Sequence, residues 1–297
     1  MKKSTKILLC LSAAFISLGM VLVIGGLAAG AKLDRIFDDG LWNVTFSERR
    51  TSQFSTDGHY KVPAAGINEL DIDWCAGEVS IESYEGQEIV MEESSSGELD
   101  EDNSLMFEIK GGTLKINSSP GLVGISFSEG IEGKKDLHIR IPNSMKLMEI
   151  DFEASNANLR VQDVSAGELK TDTVAGEVFL QRVSLGQLDV DSASGNVTVE
   201  ASTIAAVEVD TVTGNFIGEL LSCPRSFSFE ASSGDVELRL PADSQFTVRK
   251  EGIGGDLQSE FEGIYRNEMY IVGNGSAQIE MDTVKGSLQL LKANTPA

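Results

Sequence analysis

One pattern of apolar and polar positions recurs along most of this chain. In LDVDSASGNVTV, Leu188, Val190, Val197 and Val199 alternate with polar residues on either side of Gly195. A period of two marks two short strands, each with one buried face. LKTDTVAGEVFL repeats the unit on Gly176, VEVDTVTGNFIG on Gly214 and FSFEASSGDVEL on Gly234, at glycine spacings of 19, 19 and 20. One unit upstream, IDFEASNANLRV carries Ala157 at the glycine position. The pattern returns near both ends, as LDIDWCAGEVSI on Gly77 and IEMDTVKGSLQL on Gly286. Gly77, Gly176, Gly195, Gly214, Gly234 and Gly286 are therefore read as structural turn glycines, free to take positive φ at little steric cost.

A single unit cannot bury its apolar face alone. Stacking units about 4.8 Å apart makes a continuous core and pairs each backbone with the next. The expected fold is all-β, a single-domain parallel β-solenoid of ~19-residue repeats. Propeller blades need about 40 residues each. Leucine-rich repeats would show L-x-x-L-x-L and an Asn ladder, and neither is evident.

The period breaks between residues 87 and 132. Within that insertion, MFEIKGGTLKIN signals a hairpin about Gly111-Gly112. DLHIRIP is an alternating strand that stops at Pro142 before the best repeats begin. The repeat domain is taken as residues 66–292, with 293–297 as a tail.

Ahead of the repeats, Lys2, Lys3 and Lys6 precede an uncharged run from Ile7 to Ala31. A helix of that length extends about 37 Å, enough to span a hydrocarbon core of about 30 Å. Residues 1–6 are expected in the cytoplasm and 7–31 as a single-pass transmembrane signal anchor, with the C-terminal domain extracytoplasmic. Cleavage after Ala31, at Ala29-Gly30-Ala31, is the competing reading. Cys10 follows Leu9 rather than a small residue, which argues against lipidation. Residues 32–65 form a polar juxtamembrane segment whose Leu41, Trp42, Val44 and Phe46 suit either the first coil or the membrane interface.

Charge narrows the partners. The net charge is −22, and beyond residue 31 the chain carries 21 basic and 46 acidic residues, a balance of −25. Phosphate backbones are repelled, so nucleic acid is excluded, and the chain is not expected to lie flat on anionic lipid. The remaining partners are a cell-envelope component or a membrane protein, with the membrane itself engaged by the N-terminal helix.

The repeat L-x-V-x-x-x-x-G-[NDE]-V-x-V, the Ile141-Pro142 strand end and the closing IEMDTVKGSLQL resemble the bacterial putative-adhesin domain-of-unknown-function family, over about residues 66–292. The resemblance implies a right-handed β-solenoid outside the cytoplasmic membrane, mainly in Gram-positive bacteria, in proteins of which some look like accessories of envelope-stress signalling. It implies no catalytic residues.

Candidate chemistry is sparse. Asp73, Glu153, Asp172, Asp191, Asp210, Glu230 and Asp282 each follow an inward position, which is Thr171 in one unit and apolar in the others. They should stack outward on one line. Like charges about 5 Å apart repel by just under ~1 kcal/mol in water. Asp172, Asp191, Asp210 and Glu230 are accordingly candidate Ca2+ ligands, against the alternative of a solvated acidic face.

Carboxylates repeated at equivalent positions suit a scaffold more than an active site. Two histidines, His59 and His138, give neither a Ser-His-Asp set nor a zinc constellation at ordinary spacing. His138 is expected on a strand surface. Trp74 is expected to cover a coil end at a turn, with sugar stacking as the alternative. Cys75 and Cys223 are read as partly buried small residues rather than a disulfide. No catalytic residue and no cofactor is expected. The chain reads as a non-catalytic binding or structural module, with an accessory regulator of a membrane sensor as the second reading and a polysaccharide-acting β-helix enzyme as the third.

Overall fold

The computed structural model describes residues 55–101, 103–118 and 135–293. The expected membrane anchor, the basic N-terminus, most of the juxtamembrane segment, residues 119–132 of the insertion with the two that follow it, and residues 294–297 of the tail lie outside the described residues. All described residues fall in one unit, 48–297. Among them every regular element is a strand, and no helix is long and apolar enough to cross a membrane.

The N-terminal strands are β1 (His59–Pro63), β2 (Glu69–Tyr84), β3 (Glu88–Ser95), β4 (Met106–Lys110), β5 (Thr113–Asn117), β6 (Lys135–Pro142) and β7 (Leu147–Gln162). The regular repeats supply β8 (Ser165–Ala175), β9 (Val178–Gln181), β10 (Ser184–Ser194), β11 (Val197–Ile204), β12 (Ala206–Thr213), β13 (Phe216–Leu220), β14 (Ser226–Ser233) and β15 (Val236–Leu240). The C-terminal strands are β16 (Phe246–Glu251), β17 (Leu257–Ser259), β18 (Ile264–Arg266), β19 (Met269–Val272), β20 (Ala277–Lys285) and β21 (Leu288–Lys292).

Each repeat contributes one strand before its glycine and one after it. The first set pairs in parallel as β2–β7–β8–β10–β12–β14–β20–β16. The second pairs as β6–β2–β7–β9–β11–β13–β15–β21–β17, with β2 and β7 long enough to run through both. Period-two alternation turns one side chain in two towards the space between them. Leu169, Leu188 and Val207 form one buried row, and Val178, Val197 and Phe216 another. A third corner closes each regular coil at Asp163, Arg182 and Ala201, which all adopt positive φ at 19-residue spacing. Arg182 Nε and Nη2 donate to the two carboxylate oxygens of Asp163 at 2.6 and 2.7 Å, tying one corner to the next.

Coil order in space follows coil order in sequence, despite two long interruptions. Gly77 and Ala157 are 80 positions apart yet register partners. Gly234 and Gly286 are 52 positions apart, and their flanking residues pair directly, Ser233 with Lys285 and Val236 with Leu288. Each intervening segment instead adds parallel strands at one end, β5 and β6 against β2, and β16 and β17 against β20 and β21. At one end β3 pairs antiparallel with β6 and β1, and β4 with β5. At the other, β16 lies outside β20, with the β18–β19 hairpin beyond it. Antiparallel strands that are not repeats thereby cover β5 and β6 at one end and β16 at the other, which protects those strand edges.

The first of these caps is held by a buried ion pair. The Glu93 side chain is fully buried and accepts from Lys135 Nζ at 2.7 Å and from the Leu105 amide at 2.9 Å. Lys135 Nζ also donates to Asn103 O at 2.6 Å and to Ser118 O. Trp74 lies beneath, wholly buried beside the small Ala154, and its Nε1 donates to Lys135 O at 2.9 Å. With no ring face open to solvent, Trp74 is a packing residue and does not stack on sugar. Cys75 is exposed rather than packed, because the alternation that buries Trp74 turns its neighbour outward; Cys223 is half-buried, and both are free thiols.

Candidate functional site

The outward face of the sheet that precedes the glycines is acidic along its whole length. Register places Asp73, Glu153, Asp172, Asp191, Asp210, Glu230 and Asp282 on successive strands in one column, and Glu251 on β16 extends it. All four candidate cation ligands, Asp172, Asp191, Asp210 and Glu230, are consecutive rungs of this ladder. Alternation explains the column. Each carboxylate directly follows a buried residue such as Phe152, Val190 or Val209, and so points to solvent.

A second column runs parallel to it, two residues earlier in each strand. It reads Asp71, Asp151, Lys170, Asp189, Glu208, Ser228, Glu280 and Arg249, with Lys115 beyond Asp71. Cations in this column pair with carboxylates of both columns. Lys170 Nζ is 3.3 Å from Asp172, Lys115 Nζ is 3.0 Å from Asp71, and Arg249 reaches Glu280 at 2.8 Å and Glu251 at 3.1 Å. The repeat alignment drew attention to one carboxylate per unit. The D-x-[DE] spacing of LDIDW, IDFE and LDVDS was the signal for the second column.

Crowding raises the proton affinity of this face. Burial pushes the Asp210 carboxyl up to about 6, and Glu230 and Asp191 add repulsion. Burial followed by neighbouring carboxylates also raises Asp189 and Asp191. Burial raises Asp151 too, although Lys170 partly opposes it. The closest convergence is at Asp151, Glu153 and Asp172, where one oxygen from each lies within 4.8 Å of the others. Asp151 Oδ1 is buried there with no hydrogen-bond partner. Asp172 alone of the four candidate ligands joins such a group among the described residues.

The turn glycines serve a different end from the one expected. Among the six, only Gly77 and Gly195 have φ in the left-handed region, at 121° and 148°. What the others require is room. A Cβ on Gly176, Gly195, Gly214, Gly234 or Gly286 would overlap the carbonyl oxygen of the preceding rung, which is Ala157 for the first and a glycine for each of the rest. Just after the glycines runs a ladder of side-chain carbonyls. Asn158 Oδ1 accepts from the Glu177 amide at 2.9 Å, Asn196 Oδ1 from Asn215 at 3.0 Å, Asn215 Oδ1 from Asp235 at 2.9 Å and Asp235 Oδ1 from Ser287 at 2.7 Å. An Asn/Asp ladder is thus present although none was evident in the sequence, because it is interrupted by Glu177 and closed by Ser287. With the glycines it floors a shallow polar groove of about 610 Å³.

A family model described as Toastrack DUF4097 matches residues 61–291. No curated protein matches the sequence. Among solved structures, the chain is similar to a putative adhesin from Parabacteroides distasonis, at 14% identity and a TM-score of 0.44, over 80% of this chain and 98% of that one. It is also similar to a putative cell adhesion protein from Clostridium sporogenes, at 14% identity and a TM-score of 0.34, over 79% and 98% of the two chains. A putative adhesin from Bacteroides fragilis matches at 15% identity and a TM-score of 0.36, over 78% and 96%.

Proposed function

The chain belongs to the Toastrack DUF4097 family, and we propose that it is a non-catalytic, adhesin-like binding or structural module of the cell envelope, tethered outside the cytoplasmic membrane by the uncharged run at residues 7–31. The unbroken column of carboxylates on the outer face carries this reading. It repeats a carboxylate on every strand from Asp73 to Glu251. Such a surface suits multivalent contact with cationic groups of an envelope partner, each contact weak and the sum strong. An active site would gather unlike groups in one cleft, whereas here like groups recur along the whole stack.

Photoreactive residues placed in intact cells test the reading. Glu208 samples the acidic face, Thr198 the opposite sheet and Trp42 the juxtamembrane segment. Envelope material trapped at Glu208 and absent at Thr198 is the expected result. A membrane sensor trapped only at Trp42 would replace this proposal with the regulatory one. Turnover of a polysaccharide by the purified chain, lost on substituting one carboxylate, would replace it with the enzymatic one.

A further inference from the structure

The chain contains two histidines, 79 positions apart. Strand register brings them to one row. His59 on β1 is directly opposite Glu92 on β3, and Glu92 is directly opposite His138 on β6. All three side chains lie on the outer face, since their neighbours Tyr60, Met91, Leu137 and Ile139 are buried. His59 Nδ1 is 3.6 Å from Glu92 Oε1, and His138 Nε2 is 3.0 Å from Glu82 Oε1. Arg140 Nη2 donates at 2.5 Å to that same Glu92 Oε1, so the carboxylate is already held beside His59.

We propose that His59, Glu92 and His138 bind a divalent transition-metal ion of the Zn2+ class, with Glu82 beside His138 as a fourth donor. Directly opposed residues on antiparallel strands have Cβ atoms about 5 Å apart, so the two imidazoles flank Glu92 across roughly 10 Å. Each imidazole with a metal–nitrogen bond of about 2.1 Å spans roughly half that gap. Both histidines are free to turn towards the centre, with side chains 55% and 38% exposed. Two imidazole nitrogens with carboxylate oxygens favour Zn2+, Cu2+ or Ni2+ over Ca2+ and Mg2+, which take oxygen donors. Arg140 fixes the orientation of Glu92 from outside the donor set, as outer-shell partners of metal ligands do. A bound ion would fasten β1, the first described strand, to β3 and β6. This site is separate from the acidic ladder in position and in donor type.

The test is an equilibrium titration of the tag-free full chain in detergent micelles with Zn2+ alone, read by competition with a chromophoric chelator. The expected result is one site of micromolar affinity, weakened tenfold or more in His59→Gln and again in His138→Gln, and unchanged in the ladder variant Glu153→Gln/Asp172→Asn. Affinity unchanged by both histidine substitutions, or lost only in the ladder variant, would overturn the proposal. Pulsed EPR of Cu2+ on the unsubstituted chain decides independently of variant folding. Two coordinated imidazoles are expected, and one or none contradicts the site.

Discussion

Replacing Gly214 with alanine should destabilise the stack without touching its core. A Cβ there would overlap the carbonyl oxygen of Gly195 and stand 3.1 Å from the carbonyl carbon. The obstacle is backbone on both sides, so the two coils must part locally to take the contact with that oxygen from 2.0 Å to the 3.4 Å of ordinary contact. Beside the glycine, three main-chain amides donate across that seam: Gly195 N to Thr213 O at 3.2 Å, Val197 N to Asn215 O at 2.9 Å, and Asn215 N to Asn196 Oδ1 at 3.0 Å. Opening by that much breaks them, at a net cost of about 1 kcal/mol each. The reduced freedom of alanine in the unfolded chain returns about 0.4–1 kcal/mol, so the expected loss is about 2–3 kcal/mol. At roughly 2–4 °C per kcal/mol for a domain of this size, Tm falls by about 5–10 °C. Thermal and urea unfolding of the full chain in micelles, followed by circular dichroism, measures this. Gly97→Ala is the control, because nothing lies within 4 Å of a Cβ there and φ is ordinary. A Gly214→Ala chain within about 0.5 kcal/mol of the original would refute the close-approach account of the glycines.

Three further outcomes are expected. Thr171 is wholly buried between Phe152 and Val190, with no partner for its hydroxyl; Thr171→Val keeps the shape, removes the unsatisfied group and should raise stability by about 1 kcal/mol in urea titrations. The raised Asp210 carboxyl means that the folded state holds more protons than the unfolded state between about pH 4 and 6. Its contribution to stability is therefore fully present below the unfolded value and lost as pH rises through about 6. A two-unit shift corresponds to about 3 kcal/mol, which solvent screening of this exposed group reduces to about 1 kcal/mol; Asp210→Asn should gain that much at pH 7 and nothing at pH 3.5, as unfolding at the two values will show. Finally, millimolar Ca2+ should raise Tm relative to chelator through Asp151, Glu153 and Asp172, and Glu153→Gln/Asp172→Asn should abolish the rise; a Tm indifferent to Ca2+ would rule out a cation on the ladder.

The all-β stack was legible because its signal is local. A period of two on each side of a recurring glycine dictates two strands and a corner, and repetition dictates stacking. The acidic column was legible for the same reason, since equivalent positions in a stack must align. Long-range order was not. Nothing between Gly77 and Ala157, or between Gly234 and Gly286, says whether an insertion adds coils or leaves the stack. The Gly111-Gly112 signal likewise marks a hairpin but not where it docks. Pairing across the insertions also decides the surroundings of individual residues. Trp74 is buried because β6 returns over it, and His59 reaches the row of His138 only because β3 lies between them. The glycine rungs look alike whether the reason is positive φ or close approach, and only the overlap with the neighbouring carbonyl separates the two.

The central claim is a continuous ladder in which the Gly286 coil stacks directly on the Gly234 coil. Spin labels at Glu153→Cys and Asp282→Cys, in a chain whose native cysteines are replaced by serine, test it by dipolar EPR. Five steps separate these rungs, through Asp172, Asp191, Asp210 and Glu230. At about 4.8 Å per step the predicted separation is about 24 Å. A separation of about 34 Å would mean that the segment between Gly234 and Gly286 adds two coils to the stack, and it would contradict the ladder.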